Sequence, residues 1–75
     1  MKFKFKITNN KFHEAVNLIQ KNGGNVYTNG SFEIKGVEGK VHRNEEEEYI
    51  IINITDKPFL ASWGMIENKL NEFFN

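Results

Sequence analysis

Apolar and polar residues alternate through the first seven positions of the chain. Phe3, Phe5 and Ile7 are separated by single lysines, and this period of two predicts a β-strand with one buried and one solvated face. The lysines and the aromatic rings of this strand therefore lie on opposite faces, so bases cannot stack where phosphates bind. We interpret the lysine face as a solvated surface rather than as a nucleic-acid-binding ribbon.

The next segment has the period of an amphipathic helix. Four apolar residues recur at positions i, i+3, i+4 and i+7: Phe12, Ala15, Val16 and Ile19. They predict a helix from about residue 10 to residue 22. We expect Asn9 or Asn10 to cap its start and Gly23 to end it with a positive φ. His13 falls on the polar face of this helix.

The residues VYTNGSFEI (26–34) predict a β-hairpin. Asn29-Gly30 suits a two-residue type I′ turn, in which both central residues have positive φ. This turn pairs Tyr27 with Phe32. One face of the hairpin then holds Tyr27, Phe32 and Ile34, and the other holds Val26, Glu33 and Lys35.

A short strand with a bend before it is expected next. Gly36-Val37-Glu38-Gly39 lacks the Gly-Lys-Ser/Thr ending of a phosphate-binding loop, and it predicts a bulge or a tight bend. The residues 40–43 have the pattern of a short strand. Asn44-Glu45 is expected to turn the chain back.

The last third of the chain predicts a buried strand and a helix. Isoleucines 50, 51, 52 and 54 favour a strand, and Pro58 ends it. A helical stripe follows: Phe59, Trp63, Ile66, Leu70 and Phe73. We predict that Ile52 and Trp63 are buried, and that Glu47, Tyr49, Ile51 and Asn53 form the outward face of the strand.

The element order β-α-β-β-β-β-α predicts one two-layer α+β domain over residues 1–75. Both helices should cover one face of a mainly antiparallel, curved sheet. We expect the first strand beside the last, in the order 1-5-4-3-2. We expect this strand order because of charge, since Lys2, Lys4 and Lys6 would then lie opposite Glu47 and its neighbours on the solvated side.

Composition limits the classes of protein that fit this chain. Cysteine is absent, which excludes disulfides and thiolate chemistry. No apolar run reaches the length of a membrane span, and the first residues do not resemble a signal peptide, so we expect a cytoplasmic protein. The net charge of +0 speaks against general nucleic-acid affinity. Five lysines against Glu14 in residues 1–24 and an acidic excess in residues 25–56 suggest that these two regions meet.

Catalytic and metal-binding patterns are weak. The four glutamates 45–48 lack the ligand spacing of an EF-hand, so we interpret them as a solvated turn. His13 and His42 lie on different elements and show no zinc-binding spacing. Neither histidine is paired with a serine or threonine nucleophile in the sequence. We therefore predict no enzymatic activity, no catalytic residue, no cofactor and no metal.

Part of the chain resembles a known family. The residues concerned are Gly36-Val37-x-Gly39, the strand pair after them, Pro58-Phe59, Ile66-Glu67 and Leu70. In this pattern the chain resembles the short bacterial polyhydroxyalkanoic acid system proteins, over Gly36 to Leu70. The resemblance implies a helix-on-curved-sheet domain of the helix-grip kind, which in larger relatives holds apolar ligands. That family's pattern includes no catalytic residue, so none is transferred.

Taken together, these features predict a small binding or interaction module. The candidate interaction residues are Val26, Tyr49 and Ile51 on the outer sheet face, and Phe59 and Trp63 at the strand-to-helix corner. The expected partner is another protein or a second copy, with the lysine row of one subunit against the glutamates of the other. Two alternatives stay open: a small apolar ligand between helix and sheet, and nucleic acid on the lysine face of the first strand.

Overall fold

The structure, a computed structural model, describes residues 1–74. Five strands and two helices follow the predicted order: β1 (Lys2–Lys6), α1 (Asn9–Lys21), β2 (Asn25–Val26), β3 (Ser31–Ile34), β4 (Val37–Asn44), β5 (Tyr49–Asp56) and α2 (Trp63–Phe74). The α+β class is therefore confirmed. Neither helix within residues 1–74 combines the length and the apolar character that a helix needs to cross a membrane.

The strands form one antiparallel sheet in the order β1-β5-β4-β3-β2, as predicted. The charge pairing that motivated this order is wrong. Lys2, Lys4 and Lys6 pair in register with Asn53, Ile51 and Tyr49, and not with Glu47. The order instead brings the apolar residues of β1 and β5 side by side, with Phe3 opposite Ile52 and Phe5 opposite Ile50.

The core lies between the sheet and the two helices. Its buried residues come from the inward positions of the strands and from the residue that follows β1: Phe3, Phe5, Ile7, Phe32, Ile50, Ile52 and Ile54. Apolar residues of both helices pack against this cluster, namely Phe12 and Ile19 from α1 and Ile66, Leu70 and Phe74 from α2. Both helices thus cover the same face of the sheet, which confirms the predicted two-layer arrangement.

The ends of α1 have specific hydrogen bonds. Thr8, rather than Asn9 or Asn10, caps the helix, because its Oγ1 accepts from the backbone N–H of Lys11 at 3.2 Å. At the other end, Gly23 has a φ of +85° as predicted. The N–H groups of Gly23 and Gly24 donate to the carbonyls of Gln20 and Ile19 respectively, which is the Schellman arrangement.

The β2–β3 hairpin is present, but its predicted register is wrong by one residue. The loop contains Thr28, Asn29 and Gly30, since the N–H of Tyr27 donates to the carbonyl of Ser31. Asn29 lacks the positive φ that a type I′ turn requires, whereas Gly30 has a φ of +88°. Val26 therefore pairs with Phe32 and packs against the core, and Tyr27 is exposed.

The Gly36-Val37-Glu38-Gly39 segment contains both a turn and a bulge. Lys35 and Gly36 have φ values of +50° and +83°, and they connect Ile34 to Val37 as a two-residue turn. The register of β4 against β5 shifts between Glu38 and Gly39. The prediction of a short fourth strand is wrong, because β4 starts directly after the turn and has 8 residues.

The last helix begins later than its apolar stripe predicts. Ser62 accepts from the N–H of Met65 at 3.1 Å and caps α2, so Phe59 lies outside the helix. Trp63, predicted to be buried, is 37% exposed, and that prediction is wrong. At the other end of α2, Phe74 provides the core contact by stacking on Phe5 with 4.9 Å between ring centroids.

Candidate functional site

The face of the sheet opposite the helices is the larger candidate surface, and we call it the open face. On β1, β5 and β4 it presents side chains at alternate positions: Lys2, Lys4 and Lys6 from β1, Tyr49, Ile51 and Asn53 from β5, and Lys40, His42 and Asn44 from β4. Glu38 of β4 and Glu33 of β3 lie on the same face, because they pair with each other beside the Ser31–Lys40 pair. Cross-strand pairing arranges them in rows, in which Lys4, Ile51 and His42 are neighbours. The sequence predicted the β1 and β5 members, and it missed those of β4.

The open face carries its lysines on β1 and at Lys40, and its carboxylates, Glu33 and Glu38, toward the β3 edge. It holds four lysines, and none of their partners in register on β5 is a carboxylate. Within residues 1–74, the salt bridges join Lys11 to Glu14, Arg43 to Glu45 and Lys69 to Glu72. The lysines of β1 and Lys40 take part in none of these described pairs. The β1 side of the open face therefore attracts anions.

Tyr49 lies among these lysines. Its ring is half-buried, and the Lys4 Nζ atom lies 4.2 Å from the ring centroid, close enough for a cation–π contact. The Asn44 side-chain amide donates to the Tyr49 hydroxyl at 3.4 Å. Ile51, also half-buried, is the next residue of β5 on this face. The open face thus combines a cationic border with an aromatic and an aliphatic side chain.

The predicted interaction residues separate into three places. Tyr49 and Ile51 lie together on the open face, as expected. Val26 does not join them, because the one-residue difference in the hairpin register turns its side chain toward the core. Its assignment to the outer face is wrong. Phe59 lies in the segment that connects β5 to α2, and Trp63 is the first residue of α2; both belong to a separate surface.

This second surface, which we call the apolar corner, consists of Phe59, Leu60, Trp63 and Met65. Phe59 is 96% exposed and Leu60 is 89% exposed. They are the two central residues of a turn in which the N–H of Ala61 donates to the carbonyl of Pro58 at 3.0 Å. Leu60 and Met65 were missed by the sequence reasoning, although Leu60 directly follows Phe59.

Lys57 holds the turn of the apolar corner in place. Its Nζ atom donates to the carbonyl oxygen of Ala61 at 2.6 Å, and it lies 5.5 Å from the centroid of the Trp63 ring. Pro58 lies against Gly36 in the turn between β3 and β4. The two exposed apolar side chains are therefore presented on a hydrogen-bonded turn rather than on an unconstrained segment.

The β2–β3 edge of the sheet carries a small polar cluster around Glu33. Its carboxylate accepts from the side-chain amide of Asn25 at 2.9 Å and from the Tyr27 hydroxyl at 3.3 Å. The negative charge of Glu33 raises the pKa of the Tyr27 phenol, with smaller contributions from burial and from the hydrogen bond. This cluster and the neighbouring Glu38 are acidic, and they limit the cationic part of the open face to the lysines of β1 and Lys40.

The four glutamates lie in the exposed turn between β4 and β5, as predicted. The Asn44 side chain accepts from the N–H of Glu47 at 3.0 Å, and Glu48 has a φ of +54°. Arg43 pairs with Glu45 at 3.4 Å. Among residues 1–74, no group of three or more histidine, aspartate and glutamate side chains is arranged to hold a metal ion.

Two surface grooves complete the described sites. One, of about 350 Å³, is lined by Ile7, Thr8 and Phe74 together with four charged residues: Lys6, Lys11, Glu47 and Glu48. The other, of about 430 Å³, lies beside Gly36 and is lined by Glu33, Lys35, Glu38 and Asp56 among others. Both linings contain charges of both signs, which is unlike the mainly apolar wall of a typical ligand pocket.

Comparisons of the chain with protein-family models, with curated proteins and with solved structures find no match. The resemblance of Gly36 to Leu70 to the polyhydroxyalkanoic acid system proteins therefore stays a prediction.

Proposed function

We propose that this protein is a small binding module whose open face binds an anionic partner. The observation that supports this proposal is the register of β1, β5 and β4, which gathers four lysines around Tyr49 and Ile51 without a carboxylate opposite them. Exposed like charges repel one another, and an anionic partner removes that repulsion. The half-buried Tyr49 and Ile51 offer apolar contact area at the centre of the surface.

A second copy of the chain fits the open face less well than a different, anionic partner. Pairing two open faces brings eight lysines into one interface, since each face contributes four. Glutamates 45–48 of the partner lie in the turn at the end of β4 and β5 and not on the face, and the two carboxylates that do lie on it, Glu33 and Glu38, are fewer than its four lysines. Like charges across an interface oppose association.

Protein binding through the apolar corner is a second candidate function. It is supported by the nearly complete exposure of Phe59 and Leu60 on a turn that Lys57 stabilises. A turn whose backbone is already fixed loses little backbone entropy on binding, and exposed aromatic side chains are enriched in protein interfaces. Binding of a small apolar ligand has weaker support, because charged side chains line both described grooves.

The binding proposal is tested with poly-glutamate as a simple polyanion. Binding of the full chain is measured by NMR chemical-shift changes in low-salt buffer. We expect shifts at the amides of β1 and β5, with an affinity that falls as salt is added. Lys4→Gln should weaken binding, whereas Lys69→Gln makes the same charge change on α2 and should leave it unaltered. Equal weakening by the two variants contradicts a specific open face.

Light scattering at high protein concentration tests self-association. A homodimer through the open face is expected to dissociate in Ile51→Lys and to persist in Phe59→Ser. A homodimer through the apolar corner gives the opposite result. A wild-type protein that stays monomeric contradicts both homodimers. The binding proposal then requires a partner other than a second copy of the chain.

A further inference from the structure

We infer that the anionic partner of the open face is a single-stranded nucleic acid, an assignment that rests on the proposed function. The strand lies along β1, with its backbone on the lysine row and its bases over β5 and β4. Three features of the open face support this choice over an acidic protein: the spacing of the lysines, the position of Tyr49 and the polar groups beside it.

The lysines of β1 form a regular row of charges. Lys2, Lys4 and Lys6 occupy every second position of one strand, so their Cα atoms are spaced at intervals of roughly 6.5–7 Å along it. A nucleic-acid backbone also carries its charges at regular intervals along a line. A cationic track beside stacking side chains is the arrangement by which proteins bind single strands without reading their sequence.

Tyr49 provides the stacking surface next to this row. It pairs in register with Lys6, and its ring is already in contact with a cation, the Lys4 ammonium at 4.2 Å. A base that takes the place of the ammonium on the ring gains a stacking contact and leaves Lys4 available to a phosphate. The aromatic residues of β1 cannot stack on bases because they are buried, and the neighbouring strand supplies the ring instead.

Hydrogen-bonding groups follow on the side of Tyr49 away from the lysine row. Asn44 pairs with Tyr49, and His42 pairs with Ile51. Amide and imidazole groups can donate to and accept from the edges of unpaired bases. A chain of carboxylates has no ring that can stack on Tyr49, whereas every base of a single strand has one, and these observations therefore favour nucleic acid.

The shape of the open face favours a single strand over a duplex, and its charges set the path of the nucleic-acid backbone. The described face is a sheet surface with both helices on the opposite side, so it has no helix to enter a major groove. The exposed glutamates between β4 and β5 repel phosphates at the end of the face next to Lys6. The nucleic-acid backbone therefore follows β1 from Lys6 toward Lys2, the direction that leads away from that turn.

The test uses the full chain and a fluorescent oligothymidine, with affinity measured by anisotropy at several salt concentrations. Tyr49→Leu should weaken binding roughly 5- to 150-fold, which is the affinity equivalent of one lost stacking contact. Tyr49→Phe keeps the ring and should recover most of the affinity. Lys4→Gln should reduce the salt dependence by about 0.7 in the slope of log K against log salt. Lys69→Gln, on α2, should change neither quantity.

The outcomes separate this inference from the proposed function. Poly-glutamate binding on the open face without oligothymidine binding overturns the nucleic-acid assignment and leaves the anionic partner intact. Failure of both probes overturns both proposals. Equal affinity for a duplex of the same length overturns the single-strand assignment. NMR shifts of the wild type provide a measurement independent of variant folding: changes at α1 and α2 instead of Lys4, His42 and Tyr49 also overturn it.

Discussion

The Lys4 ammonium lies over the Tyr49 ring, 4.2 Å from its centroid, although these residues are not partners in register. Lys4 pairs with Ile51, so Tyr49 is its diagonal neighbour across the β1–β5 pair. Diagonal neighbours are within reach of long and aromatic side chains. An exposed cation–π contact of this kind contributes about 0.5–1 kcal/mol, which is weak enough for a ligand to replace it.

The two faces of β5 should differ in their tolerance of truncation. Ile52 is 4% exposed within the core, and Ile52→Ala is expected to lower the free energy of unfolding by about 2–5 kcal/mol. The control is Ile51→Ala, on the open face, where the side chain is only half-buried and the loss should be clearly smaller. Urea denaturation measures both. A larger loss at Ile51 would mean that the two faces are reversed.

Two glycines should respond to alanine in opposite directions. A Cβ at Gly39 would contact the carbonyl oxygen of Asn53 and the Phe32 ring, so Gly39→Ala is expected to lower the thermal midpoint. Gly64→Ala has open space in the first turn of α2, where alanine is favoured over glycine by up to about 1 kcal/mol. Thermal unfolding followed by circular dichroism compares them. A neutral Gly39→Ala contradicts the close packing of β4 against β5 and β3.

The cap of α1 distinguishes Thr8 from the asparagines that follow it. Thr8→Ala removes the acceptor of the Lys11 N–H and should cost about 0.5–2 kcal/mol. Asn10→Ala is the matched control, because Asn10 lies inside α1, where alanine has the higher helix propensity. Chemical denaturation measures the free energy of unfolding of the two variants. A greater loss for Asn10→Ala would place the start of the helix where the sequence pattern predicts it.

The Tyr27 phenol should titrate above the ordinary value of 10.0. A neighbouring carboxylate disfavours a second negative charge, so Glu33→Gln is expected to lower the Tyr27 pKa toward that value. Absorbance titration in a Tyr49→Phe background isolates this phenol. The sign for stability follows from the raised pKa: the contribution of the neutral phenol is present below pH 10 and is lost as the pH rises through the folded-state pKa. An unchanged titration contradicts the Tyr27–Glu33 contact.

Local patterns determined the kind and order of the elements. The alternation around Phe3 and the helical spacing around Val16 depend only on neighbouring residues, and the structure confirms a strand and a helix there. Gly23 ends α1 as predicted, because a positive φ is a requirement of one backbone position. The order of the strands was also predicted, although the reason lies in the apolar pairing of β1 with β5 and not in the charges.

Non-local pairing decided which residues share a surface. A hairpin loop one residue longer than predicted moves Val26 to the core and Tyr27 to the solvent, because side chains alternate between faces along a strand. The later start of α2 leaves Phe59 exposed. Near the end of α2, Phe74 rather than the predicted Phe73 stacks on Phe5.

The candidate site depends on this non-local pairing throughout. The sequence by itself places lysines on one face of β1 and Tyr49 on the outer face of β5, since each assignment needs only the period of one strand. It does not place Lys4 on the Tyr49 ring or His42 beside Ile51. Those contacts require the registers of β5 against both of its neighbours, which hydrogen bonding between distant segments and burial of the shared core set together.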